Sequence, residues 1–452
     1  MNNKSGCENQ EEILYGKKGI NSCHKLLRAE INNIEKGKYR RKKDKGQIVF
    51  AKFLFRNNPF LRYKIGIVKI YFRHSGTNLK KKRNFFAVWA KLRRIYSFMK
   101  IFALLLLSVL SFSNLSAQTQ PAKQEETHLK NLRQITFGGD NAEAYFSPDG
   151  RKLCFQTNNP AWGLKCDQIY RMNLQASPGD SAFQPHLIST GEGRTTCAYY
   201  MPGGKEILYA STHLAGKDCP PPPAPRADRK YLWAVYPEFD IFVADEQGKT
   251  LRQLTSSPGY DAEATVSPKG DKIVFTSDRS GDLELWIMDI DGKNQKQITS
   301  GLGYDGGAFF SPDGKELVFR ASRPQTAEEQ KEYKELLREH LVAPTNMEIY
   351  TCKTDGSDLK KVTSLGKANW APFFHPSGKK IIFSSNHHSQ RGYDFQLYMI
   401  NHDGSGLERI TGESVFNAFP MFSPDGKKLV FSSNRNNGGG RDTNLFLADW
   451  VD

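Results

Sequence analysis

Long apolar stretches are scarce in this chain of 452 residues. The apolar run Ile101–Phe112 spans 12 residues, whereas a membrane-spanning helix needs roughly 20. Cysteine is also rare, with 7 residues in all, which excludes a small disulfide-dense scaffold. The 38 glycines are too few for a collagen-like chain, and an aromatic content of 12% argues against general disorder. These absences indicate a globular protein with a core of its own.

Sequence signatures of common enzyme classes are missing as well. No G-x-S-x-G sequence occurs, which excludes the nucleophile elbow of α/β-hydrolases. The run Gly438–Gly440 lacks the following Lys and Ser or Thr that a phosphate-binding loop requires. We therefore predict a protein without a catalytic role.

The formal net charge of +16 is concentrated in one segment. Residues 1–98 contain 25 Lys and Arg against 6 Asp and Glu, a net of +19. Residues 99–452 contain 39 against 42, a net of −3. Rings alternate with Arg and Lys over Phe53–Phe72, as on a surface that binds single-stranded RNA. Because the rest of the chain has no basic excess, we expect no nucleic-acid partner.

A secretory signal peptide is predicted over residues 99–117. Met99 and Lys100 form a short positive start, the apolar run follows, and small residues lead to Ala117. No cysteine follows the run, so lipidation is not expected. Translation would then begin at Met99, residues 1–98 would be a basic leader from a mis-called start, and residues 118–130 a linker. This predicts a periplasmic or secreted protein; the alternative is a type II membrane anchor with a basic cytoplasmic tail.

A short motif recurs six times after the linker. Each copy has an apolar or aromatic residue, a Pro-containing turn that ends in Gly, and a β-rich run. Pro presets φ at the first corner and Gly accepts the left-handed conformation, so each copy predicts a hairpin turn between two strands. The six turns are Phe146–Gly150, Tyr200–Gly204, Val266–Gly270, Phe310–Gly314, Phe374–Gly378 and Phe422–Gly426.

Two further strands recur in every unit, one resembling ELWIMDIDG and one resembling KQIT. Four strands in each of six units predict an all-β fold, a six-bladed β-propeller over residues 131–452. The chain ends on a third strand, Asn444–Trp450. We expect the N-terminal strand Leu132–Thr136 to complete the last blade, so that no sheet edge is left open.

The SPDG turns, the following KLVFSSNR-type strands and the RIT strands resemble the TolB-like propeller family with its WD40-like PD40 repeats. The resemblance covers residues 131–452. It implies a binding scaffold in the cell envelope with a role related to Tol-type biopolymer transport. TolB itself has an α/β domain before its propeller, whereas only about 13 residues separate Ala117 from the first strand here.

Two long insertions are predicted on one face of the propeller, opposite the Pro-Gly turns. The first, His213–Glu238, contains four consecutive prolines and is stiff and extended by composition. The second, Pro324–Pro344, holds a helix with a capping box at Thr326 and Glu329. An apolar stripe from Tyr333 to Leu341 predicts either a helix that covers propeller surface or a lid over the central opening.

The same face collects polar and aromatic residues from its loops, and these are our candidates for partner binding. Blade-internal pairing is the competing explanation for each of them. His213, His387 and His388 could also bind a divalent metal, although no ligand spacing supports a metal site. The candidates are Arg194, His213, Asp261, Arg279, Asp305, Arg320, Arg323, Asn369, Trp370, His387, His388 and Arg435.

The five cysteines after the leader allow one disulfide in an exported protein. We predict a bridge between Cys166 and Cys219, with Cys197 as the competing partner. Cys154 and Cys352 alternate with core residues in strands and should be buried free thiols.

The sequence therefore predicts an exported monomer without cofactor or metal, which binds a protein or polymer partner through its insertion-bearing face. The alternative is a metal-dependent enzyme, similar to a polysaccharide lyase, with a His and Arg cluster in the central pocket.

Overall fold

The computed structural model describes residues 125–176, 184–224, 226–228, 230–390 and 392–452. The predicted leader, the predicted signal peptide and most of the predicted linker lie outside the described residues. Within the described ranges, no helix has both the length and the apolar character needed to cross a bilayer.

Six four-stranded antiparallel sheets form the blades of a propeller, one for each predicted repeat. Within each blade the chain runs from the innermost strand outwards. Strand β1 (Leu129–Gln134) comes first in the chain, but it forms the outermost strand of the sixth blade. Blade 1 comprises β2 (Asp140–Phe146), β3 (Lys152–Asn158), β4 (Gln168–Asn173) and β5 (His186–Leu187). Blade 2 comprises β6 (Thr195–Tyr200), β7 (Glu206–Ser211), β9 (Asp240–Asp245) and β10 (Thr250–Gln253). Blade 3 comprises β11 (Asp261–Val266), β12 (Lys272–Ser277), β13 (Glu284–Asp289) and β14 (Lys296–Gln297).

The remaining three blades follow the same order. Blade 4 comprises β15 (Asp305–Phe310), β16 (Glu316–Ala321), β18 (Glu348–Lys353) and β19 (Lys360–Lys361). Blade 5 comprises β20 (Asn369–Phe374), β21 (Lys380–Ser385), β22 (Gln396–Asn401) and β23 (Glu408–Arg409). Blade 6 comprises β24 (Asn417–Phe422), β25 (Lys428–Ser433), β26 (Asn444–Trp450) and β1. The predicted six-bladed propeller is confirmed.

The insertions carry the remaining regular elements. Strand β8 (Trp233–Ala234) lies in the first insertion, and helix α1 (Ala327–Arg338) with strand β17 (Leu341–Val342) lies in the second. A single 3-10 turn spans Pro160–Trp162. The capping box of α1 is present, but the helix is shorter than its apolar stripe predicted. Leu341 lies in β17, because its backbone pairs with Ala234 of the other insertion.

The ring is closed by hydrogen bonds between β1 and β26, which pair antiparallel from Leu129 opposite Trp450 to Gln134 opposite Phe446. This confirms the predicted closure, although β1 begins within the stretch expected to be a linker. The chain is also held just before β1. Arg435 of the sixth blade donates two hydrogen bonds to the carboxylate of Glu126, both of 3.0 Å.

The Pro-Gly turns pack one blade against the next, which explains why the motif repeats. Gly204 has a φ of 65°, and a Cβ at this residue would lie 3.3 Å from Cδ of Pro148 in the preceding blade. The contact between the first and last blades is of the same kind, since a Cβ on Gly150 would lie 3.7 Å from Cδ of Pro424. The repeated turns therefore have a role in packing and do not by themselves indicate a binding function.

One aromatic residue of the second strand is buried in every blade. Each such ring lies opposite an aromatic residue of the third strand; Phe431 and Phe446, for example, have centroids 6.1 Å apart. Burial of rings of this size is a large source of stability. The six residues are Phe155, Tyr209, Phe275, Phe319, Phe383 and Phe431, all fully buried.

We predict that Glu126→Ala lowers the free energy of unfolding by about 2 kcal/mol, because it leaves a buried arginine without its counter-ion. The side chains of Arg435 and Glu126 are only 5% and 12% exposed. Burial by itself opposes ionisation of Glu126, but hydrogen bonds and charge from Arg435 hold its pKa below the ordinary 4.5. The stabilisation should therefore be complete above pH 4.5 and be lost as the pH falls further.

Urea titrations at pH 7 and at lower pH measure this effect. Glu125→Ala is the matched control, since Glu125 is an exposed neighbour. Equal stability of the two variants at pH 7 would show that the ion pair does not contribute to closure of the ring.

Candidate functional site

The six innermost strands share a β-bulge at the same position. In each strand the register with its neighbour shifts in the middle, as between Ala142 and Tyr145 of β2. One residue of each bulge has a positive φ, and a bulge of this kind turns its side chain away from the regular alternation of the strand. The six residues are Glu143 (φ 52°), Cys197 (48°), Glu263 (57°), Gly307 (60°), Ala371 (48°) and Phe419 (56°).

These bulges surround a central cavity of about 570 Å³, which all six bulge residues line. A volume of this size lies within the range of small-molecule sites. Eleven of the 32 residues that line the cavity are aromatic, and six are charged. The aromatic residues are Tyr145, Tyr231, Trp233, Tyr236, Phe239, Tyr260, Tyr304, Phe309, Trp370, Phe416 and Phe419.

The cavity narrows towards the Pro-Gly turns because aromatic side chains meet there across the axis. The ring centroids of Tyr145 in blade 1 and Phe309 in blade 4 lie 5.6 Å apart. Phe373 of blade 5 contacts Phe309 edge-on at 5.2 Å, and Tyr199 of blade 2 lies 5.7 Å from Tyr145. These four rings form an apolar floor.

The two insertions join to form a lid at the opposite end of the cavity. We use the term lid for residues 213–238 and 324–344. Strands β8 and β17 pair antiparallel, with Val342 opposite Trp233, and Trp233 lines the cavity. Trp370 of blade 5 donates a hydrogen bond of 2.8 Å from Nε1 to the carbonyl oxygen of Pro344. The lid is thereby connected to blades 2, 4 and 5.

The first insertion is also tied to blade 1. A disulfide joins Cys166 to Cys219, directly before the four prolines of the lid. Cys154, Cys197 and Cys352 are free. Cys197 occupies a bulge and lines the cavity, whereas Cys154 and Cys352 are buried in strands.

A buried ion pair crosses from blade 3 to blade 4. Arg320 donates to the carboxylate of Glu263 through Nη2, and the hydroxyl of Tyr304 donates to the same carboxylate at 2.6 Å. Burial opposes ionisation of Glu263, but these partners hold its pKa below the ordinary value. The arginine fits because residue 307 is glycine: a Cβ there would lie 1.9 Å from Nη1 of Arg320.

Glu143 lines the same cavity, and within the described ranges no cationic side chain is in direct contact with it. The hydroxyl of Tyr145 donates to its Oε2 at 3.2 Å, and the thiol of Cys197 also hydrogen bonds its carboxylate. Burial and the charge of Glu263 raise the pKa of Glu143, although Arg320 and the two hydrogen bonds act in the opposite direction. An ionised Glu143 is therefore held at a cost to folding.

Three of the predicted partner-binding residues line the cavity: Arg194, Arg320 and Trp370. Arg194 is paired with Asp167, its Nη1 lying 2.6 Å from a carboxylate oxygen. Trp370 stacks on Phe395 with a centroid distance of 4.2 Å. The cavity thus brings together one predicted residue from each of blades 2, 4 and 5.

Other predicted residues make contacts within a single blade. Nη2 of Arg279 lies 2.5 Å from Oδ2 of Asp261, and Nη2 of Arg323 lies 3.0 Å from Oδ2 of Asp305. These arginines occur two residues after the end of the second strand, as Arg435 does in blade 6. Asn369 differs, because it joins two blades: from β20 of blade 5 it donates a 2.8 Å hydrogen bond to the carbonyl oxygen of Met347, which directly precedes β18 of blade 4.

The predicted histidines fall in two different blades. His213 of blade 2 packs on Phe242 with centroids 4.4 Å apart. His387 and His388 of blade 5 pack on Tyr398, and burial is the main reason that the pKa of His388 falls to about 4. Among the described residues, no group of three or more His, Cys, Asp or Glu is arranged to hold a metal ion.

Sequence reasoning missed the bulge residues, although the repeat contains a signal for them. Each lies three positions before the apolar residue that opens the turn, as Glu143 lies before Phe146 and Glu263 before Val266. A carboxylate in the middle of an innermost, otherwise apolar strand is unusual. The strand pattern places it on one face, but only the bulge turns it into the cavity.

The described part of the chain is thus a six-bladed β-propeller whose central cavity is covered by a two-part lid. Residues 236–328 match the PD40 family, described as the TolB beta propeller domain. The propeller is therefore TolB-like, as its repeats predicted.

Solved structures with similar folds belong to proteins with different activities. A protein assigned as TolB in Agrobacterium tumefaciens is 20% identical, with 71% of this chain and 94% of that one covered and a TM-score of 0.48. TolB of Acinetobacter baumannii is 18% identical, with 69% and 63% covered and a TM-score of 0.44. The oligogalacturonate lyase of Vibrio parahaemolyticus is 12% identical, with 70% and 93% covered and a TM-score of 0.43. Similarity at this level carries no information about ligands.

We predict that Glu143→Gln raises the free energy of unfolding at pH 7 by about 1 kcal/mol, because it removes a partly buried charge that no cation of the described residues contacts. The sign follows from the raised pKa of Glu143. Its carboxylate does not destabilise the folded wild-type protein below the ordinary pKa of 4.5, and it does so fully at a pH above its pKa in the folded state. Wild type and variant should therefore converge near pH 4. The groups facing Glu143 are Tyr145, Cys197, Glu263 and Arg320.

Thermal unfolding at pH 4 and pH 7 measures the difference, with Glu125→Gln as an exposed control. A Glu143→Gln protein less stable than wild type at pH 7 would show that the ionised carboxylate of Glu143 stabilises the fold.

Proposed function

We propose that this protein is an exported, non-catalytic binding protein of the cell envelope, which engages a protein or extended polymer through its insertion-bearing face. The observation that carries the proposal is the lid: two insertions from different blades pair over a cavity with many aromatic residues in its walls. Loop elaboration on a rigid scaffold is a common way to build a recognition surface.

The lid is well suited to contact a partner because parts of it are rigid and apolar. The disulfide to Cys166 and the prolines after Cys219 limit the freedom of the first insertion. Tyr231 of the lid is 59% exposed, and its hydroxyl accepts a 3.1 Å hydrogen bond from Nε1 of Trp233. An exposed aromatic side chain held in place is the type of residue that contributes most to protein interfaces.

The match to a domain described as the TolB beta propeller domain supports a role in the cell envelope. The predicted signal peptide agrees with this location. We expect the mature protein to begin at Gln118, directly after the predicted cleavage site. N-terminal sequencing of the protein recovered from the periplasm or medium tests this, and a mature start upstream of Met99 would contradict the proposed export signal.

Replacing Tyr231 by Ala should reduce recovery of the partner about tenfold, since an aromatic anchor contributes more than 1 kcal/mol to many interfaces. The measurement is a quantitative pull-down from envelope extract with purified protein, with the bound partner identified by mass spectrometry. Only a partner that depends on the lid supports the proposal.

Leu359→Ala is the matched control, because Leu359 is an exposed apolar residue (49%) outside the lid, in the loop before β19. It should leave recovery unchanged. Equal losses of partner recovery in Tyr231→Ala and Leu359→Ala would exclude the lid as the binding surface. Undiminished recovery in Tyr231→Ala and in a variant with both insertions shortened would exclude it as well.

A further inference from the structure

The charges that line the cavity do not balance. Four carboxylates and two arginines line it. Arg194 is neutralised by Asp167 at 2.6 Å, and Arg320 is neutralised by Glu263. Asp140 is exposed and accepts a hydrogen bond from the backbone of Thr443.

Glu143 is then the carboxylate lining the cavity that is contacted by no cationic side chain of the described residues. Its hydrogen-bond partners among the described residues, Tyr145 and Cys197, are both neutral. The bulge at Glu143 turns the carboxylate towards the cavity instead of into the blade. A cation at this carboxylate would compensate its lost hydration and favour its ionised form.

The aromatic walls favour the same kind of ligand. Two arginines already lie over rings of the cavity: the guanidinium carbon of Arg320 is 5.2 Å from the ring centroid of Trp233, and that of Arg194 is 5.9 Å from Tyr236. The faces of such rings attract cations, most strongly where water is excluded. An organic cation in the cavity would find both a counter-ion and aromatic surface.

We propose that the central cavity binds a primary ammonium group carried on an apolar body, with Glu143 as its counter-ion. An ammonium group has three donors, which suits a carboxylate that lies beside the hydroxyl of Tyr145, and the apolar body would contact the aromatic residues of the cavity. The inference extends the proposed binding function to the cavity. It requires no covalent chemistry.

An anionic ligand fits the cavity less well, because its two arginines are already paired. Nη2 of Arg320 donates to both Glu263 and the hydroxyl of Tyr304, the latter at 2.7 Å. An anion would have to compete with the carboxylate of Glu263 for the guanidinium of Arg320. The negative charges of the anion and of Glu263 would then lie close together and repel each other.

The first experiment compares three ligands of similar size and different charge. Calorimetric titration of the purified full chain at pH 7 uses 2-phenylethylamine, 2-phenylethanol and 3-phenylpropionate. We expect the amine to bind about tenfold more tightly than the other two, with quenching of tryptophan fluorescence from Trp233 and Trp370. Equal binding of the alcohol, stronger binding of the carboxylate, or no binding of the amine would overturn the proposal.

The second experiment tests the counter-ion. Glu143→Gln should weaken amine binding about tenfold or more while leaving the weak binding of 2-phenylethanol unchanged. Glu238→Gln is the matched control, because Glu238 is an exposed lid carboxylate that does not line the cavity. Amine binding unaffected by Glu143→Gln would overturn the assignment. The ligand series on wild type remains decisive if the variant fails to fold.

The ammonium group could belong to a free amine or to a lysine side chain of a partner. A capped Gly-Lys-Gly peptide and its acetyl-lysine counterpart distinguish these sources: binding of the lysine peptide identifies a side chain, and binding of 2-phenylethylamine alone identifies a free amine. Failure of all amines to bind leaves the lid-dependent pull-down unaffected, so the two proposals are tested separately.

Discussion

Closure of the ring by β1 and β26 is the constraint on which the rest of the structure depends. Each blade can bury its two faces only against its neighbours, so the sixth blade must contact the first. The hydrogen bonds between β1 and β26 complete the sixth sheet. The ion pair between Glu126 and Arg435 holds the chain just before β1. The packing of Gly150 against Pro424 then continues the same inter-blade contact around the ring. With the ring closed, six innermost strands face one axis.

What these strands present to the axis is decided by the bulges. A regular strand would direct alternate side chains into the blades, where a carboxylate is costly. The bulge instead gives each blade one position that faces the cavity. The residue type at this position differs between blades, from Glu143 in blade 1 to Phe419 in blade 6. Glu263 is compensated by Arg320, whereas the described partners of Glu143 are neutral. An uncompensated, partly buried charge of this kind lowers stability and is a common feature of binding sites.

Much of the architecture could be predicted because it repeats. Six turns, six buried second-strand aromatic residues and a final strand without a partner are visible as a pattern, and a repeated pattern averages out local ambiguity. The site was predicted less well. Arg320 and Trp370 were among the candidates, but so were Asp261 and Arg279, which bind each other within blade 3. In the sequence these residues look alike, since all are polar or aromatic residues near loops of the same face.

The sequence by itself determined the number of blades, the closing strand and the face that carries the insertions, because these follow from the order and periodicity of short motifs. Only the tertiary structure decided that the two insertions meet. The pairing of Trp233 with Val342 joins segments about a hundred residues apart, and each strand of the pair has only two residues. Likewise, the side chain of Glu143 faces the cavity because a bulge changes the direction of one residue. The pairing of the insertions has no local sequence signal, and the repeat marks the position of Glu143 but not the direction of its side chain. Both depend on where the closed ring holds distant parts of the chain.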